Sequence, residues 1–288
     1  MTATTERERR QAAHARPGAR RRRLGRALLY VAAVVLSLWV LAPLYLITVT
    51  AFTPRDRIFD FPKPVLPTHV SGETVDFFAR SSGVLAALGT SVVVALITLV
   101  ISTVLGAPAG YALARYAFRG RNAYRLAILS TRAFPIVILA IPLAVTFLTW
   151  GIFDTLLGVA LMHTALALPF AVLVTSSIFV TVPKELEEAA RTLGCTAVGA
   201  FARVVLPMAL PGLAAAGIFT WELSWNEVFA ATILTLDHPT LPALVVNTLQ
   251  GSSLPFRFAA AWFMLAPALI GIFLIRRYLL GLWSRAGH

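Results

Sequence analysis

The sequence predicts an all-α integral membrane protein with six transmembrane helices, and three observations carry that reading. First, 58% of the 288 residues are hydrophobic and only 13% are charged, against roughly a quarter charged in ordinary soluble domains. Second, apolar runs recur along the chain. As helices rising about 1.5 Å per residue, they are long enough to cross a hydrocarbon core roughly 30 Å thick. Third, the net charge of +12 is unevenly placed. Nine arginines precede Leu28 beside only two acids, Arg115, Arg119, Arg121 and Arg125 crowd one short connection, and Arg276, Arg277 and Arg285 follow the last apolar run. Basic clusters alternating with basic-poor connections follow the positive-inside rule, which keeps basic loops cytoplasmic. The charge is topological, and no nucleic-acid partner is expected from it.

The elements follow in chain order. Residues 1–26 form a basic, Ala-rich cytoplasmic segment without apolar periodicity, expected to stay disordered or to lie against anionic lipid. The run 27–52 far exceeds the apolar core of a signal peptide, about 7–15 residues, and reads as a retained first membrane helix. Within the unit 27–83 it is followed by a polar stretch holding Pro54, Pro62, Pro64 and Pro67. That stretch is too proline-rich for a long helix and should be the main extracytoplasmic excursion.

Residues 84–282 form the principal transmembrane unit. Its spans are predicted at 84–114, 126–150, 156–180, 207–234 and 258–282. Pro135 and Pro142 should kink the second of these, and a tight turn around Gly151 and Asp154 should lead to the third. Residues 283–288 are a short tail. An even number of spans with a basic start places both termini in the cytoplasm. Cys195 is the single cysteine, so no internal disulfide forms, and no metal or redox spacing accompanies it.

The one sizeable cytoplasmic connection, 181–206, is the most informative segment. Pro183 suits a first helical turn, and Glu185, Glu187 and Glu188 follow where the helix dipole favours anions. Leu186, Ala189, Ala190 and Leu193 fall at i, i+3, i+4 and i+7, giving a narrow apolar stripe. Gly194 should end this helix in a positive-φ conformation. Thr196 can cap a second helix with the stripe Val198, Phe201, Ala202 and Val205, stopped by Pro207. Periodicity alone leaves two readings open, an interfacial helix pair lying on lipid or an element that docks a partner.

Glu188-Ala189-Ala190, then Gly194, then Val204 and Leu206-Pro207 resemble the EAA loop of binding-protein-dependent ABC importer permeases. The resemblance covers roughly residues 83–277. Ala133-Phe134-Pro135, Ile141-Pro142-Leu143, Leu168-Pro169-Phe170 and Ser224-Trp225-Asn226-Glu227 are similar to the maltose-type (MalG-like) carbohydrate branch. Leu193 departs from the Asp usual there before the loop glycine, and leucine is common in permeases for other solutes. The resemblance implies the type I ABC importer permease (MetI-like) fold and a sugar translocation pathway. It also implies an ATPase-coupling loop carried by Glu187, Glu188, Ala189, Ala190, Gly194, Phe201 and Pro207. The implied partners are a second permease subunit, two ATPase subunits that bind the ATP, and an extracytoplasmic solute-binding protein.

Polar residues at membrane depth are costly and tend to face a cavity or a partner. Trp221 and Trp225 share one helical face, and Glu222 and Asn226 share the next, with Glu227 beyond. Aromatic faces cover the C–H surface of a sugar while amides and carboxylates bond its hydroxyls, so these five are the candidate pathway residues. Arg132 is read as snorkelling to the cytoplasmic side or pairing with an acid. His163 reads as a hydrogen-bonded packing residue. No Walker A loop, nucleophile elbow or HExxH pattern appears, so neither ATP nor a metal should bind the chain and it should not be an enzyme. The alternatives are an ABC permease for a polyamine or phosphorylated solute and a proton-coupled secondary transporter using Glu222 or Glu227.

Overall fold

The computed structural model describes residues 17–62, 66–67, 69–249 and 251–286, so residues 1–16 of the basic segment and 287–288 of the tail lie outside it. Among the described residues the secondary structure is helical throughout, as a chain of long apolar runs with no period-two alternation requires.

Helix α1 spans Pro17–Ala51. It therefore begins within the basic segment, and of the two expectations for residues 1–26, disorder or a place against anionic lipid, disorder does not hold for 17–26. Arginine is a good helix former, and an apolar helix already built can propagate back through a run of them. The polar stretch after α1 holds no long helix, only a single turn at Arg55–Arg57 and a short helix α2, Glu73–Arg80. Almost nothing in the chain covers Gly25–Ala51, and Trp39 is 81% exposed. An apolar helix bare on most sides belongs in lipid. It is fastened at its end, where Phe52 meets Trp262 edge-on at 5.0 Å.

The centre of the bundle is the crossing of α3 (Val84–Arg115) and α6 (Leu156–Thr181). Gly106 and Gly110 lie on one face of α3, and a Cβ added to Gly110 would fall 2.0 Å from Thr175 Oγ1 and 2.7 Å from the Ser176 backbone nitrogen. Only glycine permits that approach, and the Thr175 hydroxyl uses it to donate to the Gly106 carbonyl at 3.0 Å. Lipid tails are as apolar as leucine, so spanning helices are held by such close contacts and bonds rather than by hydrophobic burial.

The predicted span at 126–150 is broken rather than kinked. Helix α4 (Arg121–Ser130) runs through a 3-10 turn at Thr131–Ala133, and α5 (Ile136–Trp150) leaves at 87° to it. The cause is local. Phe134 precedes a proline, which disfavours helical backbone, and it sits extended at ψ 121. Pro142 stays inside α5.

The span before the outer loops also differs from its prediction. After α7 (Lys184–Thr192), helix α8 runs unbroken over Ala197–Trp225. Pro207 does not stop it. The ring excludes a normal bond to the carbonyl four residues back, and the chain absorbs this by widening into a π turn at Phe201–Val205. The helix ends at Trp225, with a separate α9 at Phe229–Leu234, so 207–234 is not one span. Helices α10 (Leu241–Leu249) and α11 (Leu254–Ala286) complete the chain. Among the described residues, four helices are long and apolar enough to cross a membrane, five if the bent pair is one span. The sixth position of the predicted topology is α11.

The turn between α5 and α6 holds Gly151 at φ 70 and Asp154 at φ 57. Asp154 Oδ1 accepts the backbone N–H groups of Leu236 at 2.7 Å and His238 at 3.3 Å, while Asp237 N–H reaches both carboxyl oxygens. Burial works to raise the Asp154 pKa, but these backbone donors and the nearby His238 outweigh it and hold the carboxyl below the ordinary aspartate range. One carboxylate thus clamps the loop after α9.

Candidate functional site

Two polar regions stand out, the loop before α8 and the end of α8 itself. In the loop, α7 ends as its composition requires. Gly194 adopts φ +94, with Gly194 N–H donating to the Arg191 carbonyl and Cys195 N–H to the Ala190 carbonyl, both at 3.0 Å. This bond pair is a Schellman cap, which satisfies orphan carbonyls at the helix end. Thr196 then caps α8 by accepting from Gly199 N–H at 3.1 Å.

The loop is tied to the bundle by Glu187. Its Oε1 accepts the Tyr111 hydroxyl, and its Oε2 lies 3.0 Å from Arg115 Nε. The latter contact pairs charges rather than making a well-aligned hydrogen bond. Both ionic side chains are largely buried, at 6% exposure for Arg115 and 13% for Glu187. Arg115 also donates to the Val182 carbonyl at 3.0 Å. Beneath them Tyr111, Phe179 and Phe201 form a ring cluster, with Tyr111 and Phe201 centroids 4.5 Å apart. Phe201 therefore faces α3 and α6, and Ala190 packs inward beside it. Glu188, Ala189, Gly194 and Pro207 are exposed. So are Leu186, Leu193 and Val198, the latter two at 86% and 76%. The predicted apolar stripes are thus divided: Ala190, Phe201 and Val205 pack against the bundle, while Leu186, Ala189, Leu193 and Val198 are left uncovered by the chain itself.

At the other end of α8, Trp221 and Trp225 stack with centroids 6.0 Å apart and 9° between planes. Trp225 is buried, and its indole N–H donates to the Met264 carbonyl at 3.0 Å. A buried indole N–H needs such a partner. Trp221 lines an apolar groove with Leu99, Leu210 and Gly217. Asn226 Nδ2 donates to Glu222 Oε1 at 2.6 Å and to its carbonyl at 3.0 Å, closing the helix end.

Glu227 opens the next helix. Its carboxylate accepts Ala230 and Ala231 N–H, both at 3.0 Å, so it caps α9 from the position that favours an anion. His163 Nε2 lies 3.1 Å from Glu227 Oε2, and Nδ1 lies 2.8 Å from Ser224 Oγ. One ring proton, on Nε2, satisfies both contacts when the serine hydroxyl donates to Nδ1. His163 is fully buried, as a packing histidine should be.

Asn226 and Glu227 line a cavity of about 450 Å³ shared with Arg132, Phe134, Leu166 and Pro169. Of the five predicted pathway residues, these two reach it. Trp221, Glu222 and Trp225 do not. Tyr111 and Arg115 went unrecognised as site residues because an arginine at a helix end reads as topology, and a tyrosine in an apolar run reads as packing. Arg125, read the same way, donates to the Leu113 carbonyl and Ser176 Oγ at 3.2 and 3.3 Å. Among the described residues no group of three or more metal-ligating side chains occurs.

Residues 104–280 match the family described as binding-protein-dependent transport system inner membrane component. The diacetylchitobiose uptake system permease protein DasC of Streptomyces coelicolor is 28% identical over 267 residues, 91% of this chain and 97% of that protein. The trehalose transport system permease protein SugB of Mycobacterium tuberculosis is 34% identical over 216 residues, 75% of this chain and 78% of that one. A bacterial ABC transporter involved in import of the acidic polysaccharide alginate superposes with TM-score 0.69 at 20% identity, covering 89% of this chain and 98% of that one. That likeness is one of fold.

Proposed function

We propose that this chain, which belongs to the family of binding-protein-dependent transport system inner membrane components, carries a sugar across the membrane and couples that passage to a separate ATPase. As a member of that family it is a multi-pass inner-membrane permease. The observation that carries the coupling reading is the loop at 181–206. It is locked to α3 by Glu187, Tyr111 and Arg115, yet it turns Leu186, Leu193 and Val198 outward. Leucine and valine exposed on a charged surface lose about 25 cal/mol for every Å² of apolar area left in water. A protein partner seated on them recovers that loss, and a handle rigidly joined to two spans transmits the partner's motion to the cavity.

In this reading ATP binds and is hydrolysed on two partner ATPase subunits, and both termini of the permease lie in the cytoplasm. A second permease completes the pathway beside α1 and the groove of Trp221, and an extracytoplasmic binding protein delivers the sugar to the outer loops. Closure of the ATPase pair moves the loop, and the cavity at Asn226 switches between inward and outward access. The sugar assignment draws on the diacetylchitobiose and trehalose permeases and on the Asn226 amide and Glu227 carboxylate in the cavity. The proton-coupled alternative has little support from the geometry. Glu227 is held by two backbone N–H groups and His163, and Glu222 accepts the Asn226 amide, so each carboxylate has a structural partner.

Reconstitution with the partner subunits in proteoliposomes tests this. Sugar uptake should require ATP, and Asn226→Ala should lower it by more than it lowers basal ATP hydrolysis. Uptake driven by a pH gradient alone, without an ATPase, would establish the secondary-transporter alternative instead.

A further inference from the structure

Arg132 has no place in the reading so far. It sits on the 3-10 turn at Thr131–Ala133, where the span breaks, with its guanidinium 5.6 Å from the centre of the Phe170 ring. Phe170 lies near the midpoint of α6, a 26-residue spanning helix. That places Arg132 at mid-membrane depth, far from the cytoplasmic end towards which it was predicted to snorkel. Among the described residues it forms no ion pair with an acid, and its side chain forms the wall of the cavity with Asn226 and Glu227. A guanidinium at such depth costs roughly 2.5–3.5 kcal/mol on insertion scales, and it persists where a watery path or a ligand uses it.

We propose that Arg132 is a specificity-determining, sugar-contacting residue of the pathway, and that the cavity selects a neutral saccharide over an anionic one. This rests on the sugar reading above and narrows it. The break at Phe134-Pro135 leaves Arg132 on the cavity wall, with its guanidinium within cation–π reach of the Phe170 ring. The fork of N–H donors matches a pair of adjacent hydroxyl oxygens on a pyranose ring. Few other donors compete for this role, because Glu222 engages the Asn226 amide hydrogens and leaves that residue its oxygen as an acceptor, and most of the lining is apolar.

Charge decides the class. The cavity wall carries one guanidinium and one carboxylate, Arg132 and Glu227, and the carboxylate is fixed in place by Ala230, Ala231 and His163. An acidic sugar gains at Arg132 but is repelled by Glu227, while a neutral one uses the donors and meets no repulsion.

The test is uptake by the complete importer, with its second permease, ATPase subunits and binding protein. Labelled trehalose and diacetylchitobiose serve as neutral probes and an alginate oligosaccharide as the acidic one. A neutral probe should be transported and the acidic one not. With the transported probe, Arg132→Gln should raise KM about tenfold and Arg132→Lys by less, with maximal rate largely kept. The yield of assembled complex on gel filtration should not change. Transport of the acidic probe in preference to the neutral ones overturns the charge argument alone. An unchanged KM in Arg132→Gln, or loss of complex assembly that points to an ion pair with the partner permease, overturns the contact role while leaving the sugar reading intact. Transport of none of the saccharides overturns both readings.

Discussion

Replacing Gly194 with proline is expected to reduce sugar uptake about a hundredfold or more, to background, while the chain still inserts in the membrane at normal abundance. The site demands φ +94, whereas the proline ring fixes φ near about −65° and removes the N–H. That N–H is the one donating to the Arg191 carbonyl. The turn joining α7 to α8 must then refold, and the exposed face of Leu193 and Val198 loses its fixed relation to the bundle. Nothing lies within 4 Å of the position a Cβ would take, so the loss does not come from a Cβ clashing with a neighbouring element. Gly194→Asn is the control. Asparagine tolerates left-handed backbone, and this variant should keep most of the uptake. Equal loss in both variants, measured by uptake normalised to membrane abundance, would argue that the turn conformation is not what matters.

The second large effect is expected from Glu187→Ala. Arg115 is left buried without its carboxylate, and removing one partner of a buried ion pair costs on the order of 3–5 kcal/mol. The Tyr111 hydroxyl loses its acceptor in the same step. The loop should detach from α3, seen as faster hydrogen exchange across α7 and more than a tenfold fall in uptake. Adding Arg115→Leu removes the orphaned charge and should recover part of the exchange protection, because replacing both partners avoids the desolvation penalty. It should not recover the uptake, since the handle remains untied. If the single variant exchanges and transports like the original chain, Glu187 is not the anchor.

What the sequence made legible and what it did not divide along a physical line. Local rules sufficed where the cause is local. The apolar run at 84–114 became α3, the glycine at position 194 took positive φ, and Trp221 with Trp225, like Glu222 with Asn226, met one turn apart. The proline rules were right in kind but misjudged in degree. Pro135 turned the chain by 87° because Phe134 is forced extended, whereas Pro207 was absorbed in a π turn inside a continuous helix. Composition cannot distinguish those outcomes, which depend on whether neighbouring turns satisfy the freed carbonyls.

Contacts distant in sequence were not legible. Glu187 meets Tyr111 and Arg115 across two spans, and His163 reaches Glu227 from another helix. No periodicity links them. Arg132 was misplaced for a related reason. Its position in the chain suggests a cytoplasmic helix end, but the break carries it beside Phe170 and into the cavity. Of the coupling-loop residues, Phe201 and Glu187 face the permease while Glu188 and Gly194 face outward, a division that helical spacing alone does not settle.

The central claim is that the exposed face of the 181–206 loop seats on a nucleotide-hydrolysing subunit, and site-directed cross-linking tests it most directly. With Cys195→Ser in place the chain carries no thiol of its own, and Leu193→Cys then sets a unique one on the loop. In membranes holding the complete importer, a short thiol-reactive cross-linker should join this position to the ATPase subunit, with a yield that changes when ATP is added. A thiol that reacts only with lipid-phase reagents and yields no ATPase adduct under any nucleotide condition would contradict the account.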